Sequence, residues 1–301
     1  MVTEAEMSTC TRIGIQRILF PTDFTDESIQ AVEFVRRLQR HYKASVHVVH
    51  VLDLLPFSLS SDPSAVAKIE ELSESARDKM QGFIEAHGLK GDSFKPGLLN
   101  GEVSLALEQF TRQQGIDLIV LGSRGQVGMS RLFEGSMAEE IFRTALCPVV
   151  VIGPNAHMGE SSETFDRLLF PTDLGPFSRA AAPYVEFLLA DNPRSTVSLA
   201  HFLDHDPGMP YERYIMRHEA ENELKNMIPP GLRRQVSDVA VEFCSPAQGM
   251  IEMAKGFGAD LMILGVRSGG SFTRAATHGW CSMTQQVVSQ APCAILTIRS
   301  T

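Results

Sequence analysis

The chain repeats itself, and an internal repeat constrains a fold more than any other property of a sequence. Residues 17–24 read RILFPTDF and residues 167–174 read RLLFPTDL. VHVVHVLD from Val46 to Asp53 is answered by VSLAHFLD from Val197 to Asp204, and DLIVLG from Asp117 to Gly122 by DLMILG from Asp260 to Gly265. CPVVVI at 147–152 is matched by PCAILTI at 292–298. The order is kept and the separation stays near half of the 301 residues, so the chain is a tandem duplication whose copies must fold alike. The polar stretch Gly153–Thr164, GPNAHMGESSET, has the character of a linker. Two domains are therefore expected, over residues 14–154 and 164–301.

Within the first copy, Ile18–Phe20, Val46–Val51, Leu118–Leu121 and Val149–Ile152 are short, nearly continuous apolar runs rich in β-branched residues. Such runs suit strands buried on both faces of a parallel sheet. Helical patterns separate them, over 28–40, 64–86, 103–114 and 136–144. Alternation of this kind predicts an α/β fold of two tandem, doubly wound, mainly parallel five-stranded sheets. Ligands of such sheets sit beyond the carboxyl ends of the strands, where the strand order reverses. That directs attention to Asp23, to 51–53, and to Gly122 onward.

Composition excludes some partners. The net charge of −9, with no long basic run, argues against duplex nucleic acid and against anionic membrane surfaces. No apolar stretch reaches the roughly 18 residues of a membrane span. The first residues lack the pattern of a secretory leader, so a cytoplasmic location is expected. Five cysteines, odd in number and without a CxxC pair, suit neither a disulfide framework nor a zinc site. Cys147 and Cys293 stand beside apolar runs and read as small core hydrophobes. His201, Asp204, His205 and Asp206 read as a solvated strand end, without a third element at metal-ligand spacing. His47 and His50, three apart on a strand, point to opposite faces.

After DLIVLG the first copy continues Gly122-Ser-Arg-Gly125, then nine residues, then Gly135-Ser136. Glycines let a backbone approach a bulky anion closely. A helix opening at Ser136 and Met137 would turn unpaired N–H groups toward a phosphate. Arg124 and Arg131 lie within the loop and each can reach a triphosphate oxygen.

The pattern G-x2-G-x9-G-S after an apolar strand, with PTD after the first strand and CPV opening the last, resembles the universal stress proteins. The resemblance covers each half once, and it is to the ATP-binding branch of that family. It implies an adenine nucleotide alpha hydrolase-like, Rossmann-like fold. It also implies that Asp23 lies beside adenine and ribose in a pocket lined by Pro21 and Thr22, and that the Val51 backbone meets adenine. Gly122, Gly125 and Gly135 would hold ribose and phosphates, with Ser136 and Met137 capping them. The implied ligand is ATP, or ADP or AMP, with Mg or Mn bridging the phosphates; no dedicated metal ligands are expected. The halves are expected to pack as an intramolecular pseudo-dimer through the runs 149–152 and 294–298, and two chains can associate further. Asp23 has a second reading, since residues of this type cap helices; Thr25 or Asp26 could do that instead. Its recurrence as Asp173 at a strand tip favours ligand contact.

The second copy departs from the pattern. Gly265 is followed by VRSGGSFTRAATHGWCS, so the first gap to Gly269 is one residue too long and Trp280 stands where Ser136 stands in the first copy. This half is expected to bind ATP poorly and to serve as a structural partner. The function expected is a nucleotide-binding stress-response regulator. The alternative is a slow ATPase or phosphotransferase, although there is no Gly-Lys-Ser/Thr and no general base within the loop. A flavin carrier is suggested by fold analogy alone.

Overall fold

In the computed structural model, which describes residues 13–54, 57, 64–123, 141, 145–157, 165–266 and 278–299, both copies build the same strand-helix alternation. The first gives β1 (Arg17–Pro21), α1 (Asp26–Tyr42), β2 (Ser45–Leu52), α2 (Ser64–Ala86), β3 (Phe94–Asn100), α3 (Val103–Gln114), β4 (Leu118–Gly122) and β5 (Val149–Ile152). The second gives β6 (Arg167–Pro171), α4 (Pro176–Arg179), α5 (Ala182–Asp191), β7 (Thr196–Phe202), α6 (Pro210–Met227), β8 (Val236–Glu242), α7 (Pro246–Phe257), β9 (Leu261–Val266), α8 (His278–Gln290) and β10 (Ala294–Arg299). Ile141 is helical, but the rest of the helix expected over 136–144 lies outside the described residues.

The ten strands form one sheet in the order β3-β2-β1-β4-β5-β10-β9-β6-β7-β8. Every pair is parallel except the central one, where β5 and β10 run antiparallel with Leu296 opposite Val150. The two five-stranded sheets expected from sequence are thus continuous. That pairing covers what would otherwise be an open apolar edge on each half, and an open edge invites association with other chains. Edge strands β3 and β8 carry few of the apolar signals of the inner strands. Pro96 cannot donate to a ladder and fits only at an edge.

Alternate residues of each strand face opposite layers. Ile18, Phe20, Val46, Val48 and Val120 meet Phe34 and Val35 of α1 and Phe83 of α2. Leu19, Val49, Ile119 and Leu121 meet Leu107 of α3. His47 faces the α3 side, edge-on to Phe110 with ring centroids 5.3 Å apart, and burial lowers its basicity, with Lys95 and Arg17 adding. His50 faces the α1 side, against Phe24, so the two histidines do point apart. Cys293 is buried and Cys147 half-buried; burial pushes each thiol up to about 12.

The starts of the strands are tied the same way in both copies. The Asp117 carboxylate accepts from the backbone N–H groups of Gln16 and Arg17 at 3.0 and 2.8 Å, and Asp260 from those of Asp166 and Arg167 at 3.0 and 2.9 Å. The repeated aspartate before β4 and β9 therefore locks the register of the switch-point strands.

Candidate functional site

The chain runs β1 to β2 to β3 in one direction across the sheet, then returns to place β4 on the other side of β1. The order reverses between β1 and β4, which opens a crevice at their carboxyl ends. Pro21 pairs with Val49, so the same register brings Asp23 level with Val51. Leu19 pairs with Ile119, which brings Thr22 level with Gly122. Asp23, Val51 and Gly122 are thereby gathered on the tips of three neighbouring strands.

The turn after β1 is fixed by local bonds. Thr22 is buried; its N–H donates to the Val49 carbonyl at 2.8 Å and its hydroxyl oxygen accepts from the Phe24 N–H at 3.0 Å. Its carbonyl accepts from Nδ1 of His50 at 2.7 Å, which puts the ring proton on that nitrogen. Phe24 is held at φ 64°, a left-handed conformation costly for a bulky residue, with its ring 4.5 Å from that of His50 and 5.7 Å from that of Phe83.

Asp23 is exposed. One of its oxygens accepts from the Thr25 N–H at 3.2 Å, the Thr25 hydroxyl at 2.6 Å and the Ser28 hydroxyl at 2.8 Å. Partial burial works to raise its pKa, but the hydrogen bonds from Thr25 and Ser28 together outweigh it and hold the carboxyl below the usual aspartate value. Thr25, the residue preceding α1, makes no side-chain cap bond. The side chain that organises the start of α1 is therefore Asp23 itself, not Thr25 or Asp26: an aspartate readily bonds a backbone group two residues on.

Gly122 has a packing duty that the sequence did not reveal. A Cβ there would lie inside the Glu27 carbonyl oxygen, 2.5 Å from the Glu27 carbonyl carbon and 3.0 Å from the Ser28 nitrogen. Glycine lets the first turn of α1 sit directly on the end of β4. Val51 is half-buried at the end of β2, its side chain against the α3-side core, which leaves its backbone at the crevice. Pro21 is buried at the end of β1, and the buried Ser123 donates its N–H to the Ile152 carbonyl at 2.9 Å. Arg124, Gly125, Arg131, Gly135, Ser136 and Met137 lie outside the described residues.

The second copy repeats this tip except for the Thr25 hydroxyl bond, which Gly175 cannot make. The His201 Nδ1 donates to the Thr172 carbonyl at 2.7 Å, and Leu174 is left-handed at φ 60°. Asp173 accepts from the Gly175 N–H at 2.8 Å and the Ser178 hydroxyl at 2.6 Å. A Cβ on Gly265 would lie inside the Phe177 carbonyl oxygen and 2.5 Å from the Ser178 Cα. One difference is that Phe202 replaces Val51. Its ring fills the space left by Gly249, where a Cβ would be 2.4 Å from the ring and 2.8 Å from the Cys244 sulfur. Residues 267–277, and the side chain of Trp280, lie outside the described residues. The histidine that anchors the turn and the serine that meets the aspartate, His50 with Ser28 and His201 with Ser178, escaped the sequence reading. Their recurrence at matched places in both copies was the available signal.

A doubly wound sheet with a PTD turn at its switch point, built twice and joined edge to edge, defines a class of two-domain α/β protein with one crevice per half. The Usp model, described as the universal stress protein family, matches residues 14–153 and again 164–299. The chain belongs to the universal stress protein family. It is 30% identical over 141 residues to universal stress protein MJ0531 of Methanocaldococcus jannaschii, covering 46% of this chain and 81% of that protein. It is 24% identical over 144 residues to universal stress protein YxiE of Bacillus subtilis, covering 45% of this chain and 97% of that one. Over both halves together it has the fold of a universal stress protein from Archaeoglobus fulgidus, with a TM-score of 0.67 and 18% identity across 95% of this chain and 98% of the other.

The described tip offers an ionised carboxylate in solvent, a backbone edge and an apolar floor. That set can accept hydrogen bonds from hydroxyl and amine donors. Among the described residues no group of three or more His, Cys, Asp or Glu is placed to hold a metal ion, and no helix is long and apolar enough to cross a membrane.

Proposed function

We propose that the chain is a stress-response regulator that binds adenine nucleotide, ATP or else ADP or AMP, in the crevice of residues 14–154, with 164–301 as a structural partner. The observation that carries this reading is the G-x2-G-x9-G-S loop that begins at Gly122, on the switch point where Asp23 and Val51 also stand. Asp23, kept ionised by Thr25 and Ser28, accepts from ribose hydroxyls or from the adenine amine. Pro21 and Thr22 wall the pocket, and the Val51 backbone meets the base. The phosphates fall to Gly122, Arg124, Gly125, Arg131, Gly135, Ser136 and Met137. Mg or Mn would be held by phosphate and water, since the described residues of the tip include no group of metal ligands. Such a protein acts by occupancy in the cytoplasm.

Freshly purified protein is denatured, released nucleotide is identified by mass spectrometry, and protein freed of nucleotide is titrated with Mg-ATP by calorimetry. About one adenine nucleotide per chain is expected, with Gly135→Val losing it. A ratio near two would assign a site to the second half as well. Absence of both bound nucleotide and a titration signal would leave the fold and remove the function.

A further inference from the structure

In a true two-fold dimer a residue beside the axis meets its own copy. Here the two copies are halves of one chain and have been free to differ. The axis can be located from pairs that occupy the same place in both halves and touch each other. In the sheet, Val150 pairs with Val120 of β4, and Leu296 pairs with Ile263 of β9. Val120 and Ile263 are matched letters of DLIVLG and DLMILG, so Val150 and Leu296 are equivalent, and they lie opposite one another.

On the α1 face the equivalent positions follow the buried pattern. Ser28, Ala31, Val35 and Leu38 answer Ser178, Ala181, Val185 and Leu188, all buried. Three residues beyond Leu38 and Leu188 stand His41 and Asp191, and these too meet. His41 Nε2 is 2.6 Å from Asp191 Oδ2, each side chain only about a quarter exposed, at 23% and 26%. The Tyr42 hydroxyl donates to the same oxygen at 3.2 Å and its ring stacks on Phe187, centroids 6.0 Å apart at 22°. Burial, with the Asp191 carboxylate adding, raises the Tyr42 phenol. Arg40, in the same turn, is taken by Glu33 at 3.1 Å.

We infer that the His41–Asp191 pair is a partner-selecting contact, which makes the N-terminal half fit the C-terminal half and not a second copy of itself. The same surfaces could pair between chains in three ways. N-terminal with C-terminal gives imidazole against carboxylate. C-terminal with C-terminal sets two carboxylates at hydrogen-bond distance, where like charges cannot both stay ionised without cost. N-terminal with N-terminal sets two imidazoles together and leaves both Tyr42 hydroxyls without the carboxylate. Only the first pairing satisfies every polar group on the axis, and unpaired polar groups in a partly dry contact are costly.

The test uses the full chain in three forms: His41→Asp, Asp191→His, and the exchanged double variant. The readouts are the thermal midpoint at neutral pH and the mass by light scattering over a concentration series. Each single variant is expected to lower the midpoint by about 2–6 °C, His41→Asp more than Asp191→His because two imidazoles can still share a hydrogen bond. Each single variant should also raise the average mass above that of the original chain, as halves begin to pair between molecules. The exchanged variant should restore the original mass and most of the midpoint, short only of the Tyr42 bond to Asp191. An exchanged variant no better than the summed shifts of the two single ones would show that the pair only fills space, and would overturn the inference. So would single variants that match the original chain in both readouts.

Discussion

Replacing Gly122 by alanine adds one methyl group, and the structure says where it goes. The new carbon would overlap the Glu27 carbonyl oxygen and stand 3.0 Å from the Ser28 nitrogen, both backbone atoms that cannot rotate away. Ordinary contact of such atoms needs about 3.5 Å, so the first turn of α1 must back off by over about 1 Å. Overpacking of this kind costs about 1–3 kcal/mol. Retreat also stretches the bond from the Ser28 hydroxyl to Asp23, now 2.8 Å, and loss of a helix-start bond adds about 1 kcal/mol. The total is about 2–4 kcal/mol, or a midpoint lower by about 4–8 °C at the shallow slope of a large domain. The assay is thermal unfolding followed by circular dichroism, in protein stripped of nucleotide, where any lost ligand contact is silent. Gly265→Ala, which meets the Phe177 oxygen in the same way, should give a similar drop. A midpoint within about 1 °C of the original for Gly122→Ala would refute the seating of α1 on β4.

Two further outcomes follow from the tip and its neighbours. Asp23 has a folded pKa below its unfolded value of about 3.9, so its charge contributes stability that is present above that pH and lost as pH falls through the folded value. Asp23→Asn should therefore be less stable than the original at pH 7, with the gap narrowing as pH falls below the ordinary aspartate range, measured by urea midpoints; a gap that does not change with pH would contradict this. Gly249→Ala should destabilise by about 1–3 kcal/mol, although alanine is the better helix former, because Phe202 occupies the space. Adding Phe202→Val, the residue type of the first half at Val51, should recover the loss.

Much of this was legible in the sequence. The inner strands and α2 and α3 were read from apolar periodicity because burial on both faces leaves no other pattern. The edge strands went unread: the residues of β3 are mostly half-exposed or exposed, and Pro96 and Gly97 break any apolar alternation. The pairing of β5 with β10 was anticipated from the family resemblance. The His41–Asp191 contact could not be, since neither residue belongs to a motif and only the folded chain brings them together. Gly122 illustrates a different limit. Its glycine is demanded by backbone 95 residues earlier in the chain, at Glu27, and no local spacing encodes that.

The duplication also separates what the fold needs from what a ligand would need. Recurrence of Asp23 as Asp173 first suggested ligand contact, yet both carboxylates perform the same local task, meeting the backbone and serine that open the next helix. His50 with His201 and Gly122 with Gly265 likewise do the same work in both halves. These residues are kept in a half whose following loop departs from the phosphate pattern, so folding alone is enough to account for them. Residues that would distinguish a nucleotide-filled half from a structural one must then be those that differ. Those are Val51, answered by Phe202; Ser136 and Met137, answered by Trp280 and Cys281; and the gap from Gly122 to Gly125, one residue longer between Gly265 and Gly269. A PTD turn by itself therefore marks the architecture, and the loop after β4 carries the claim about nucleotide.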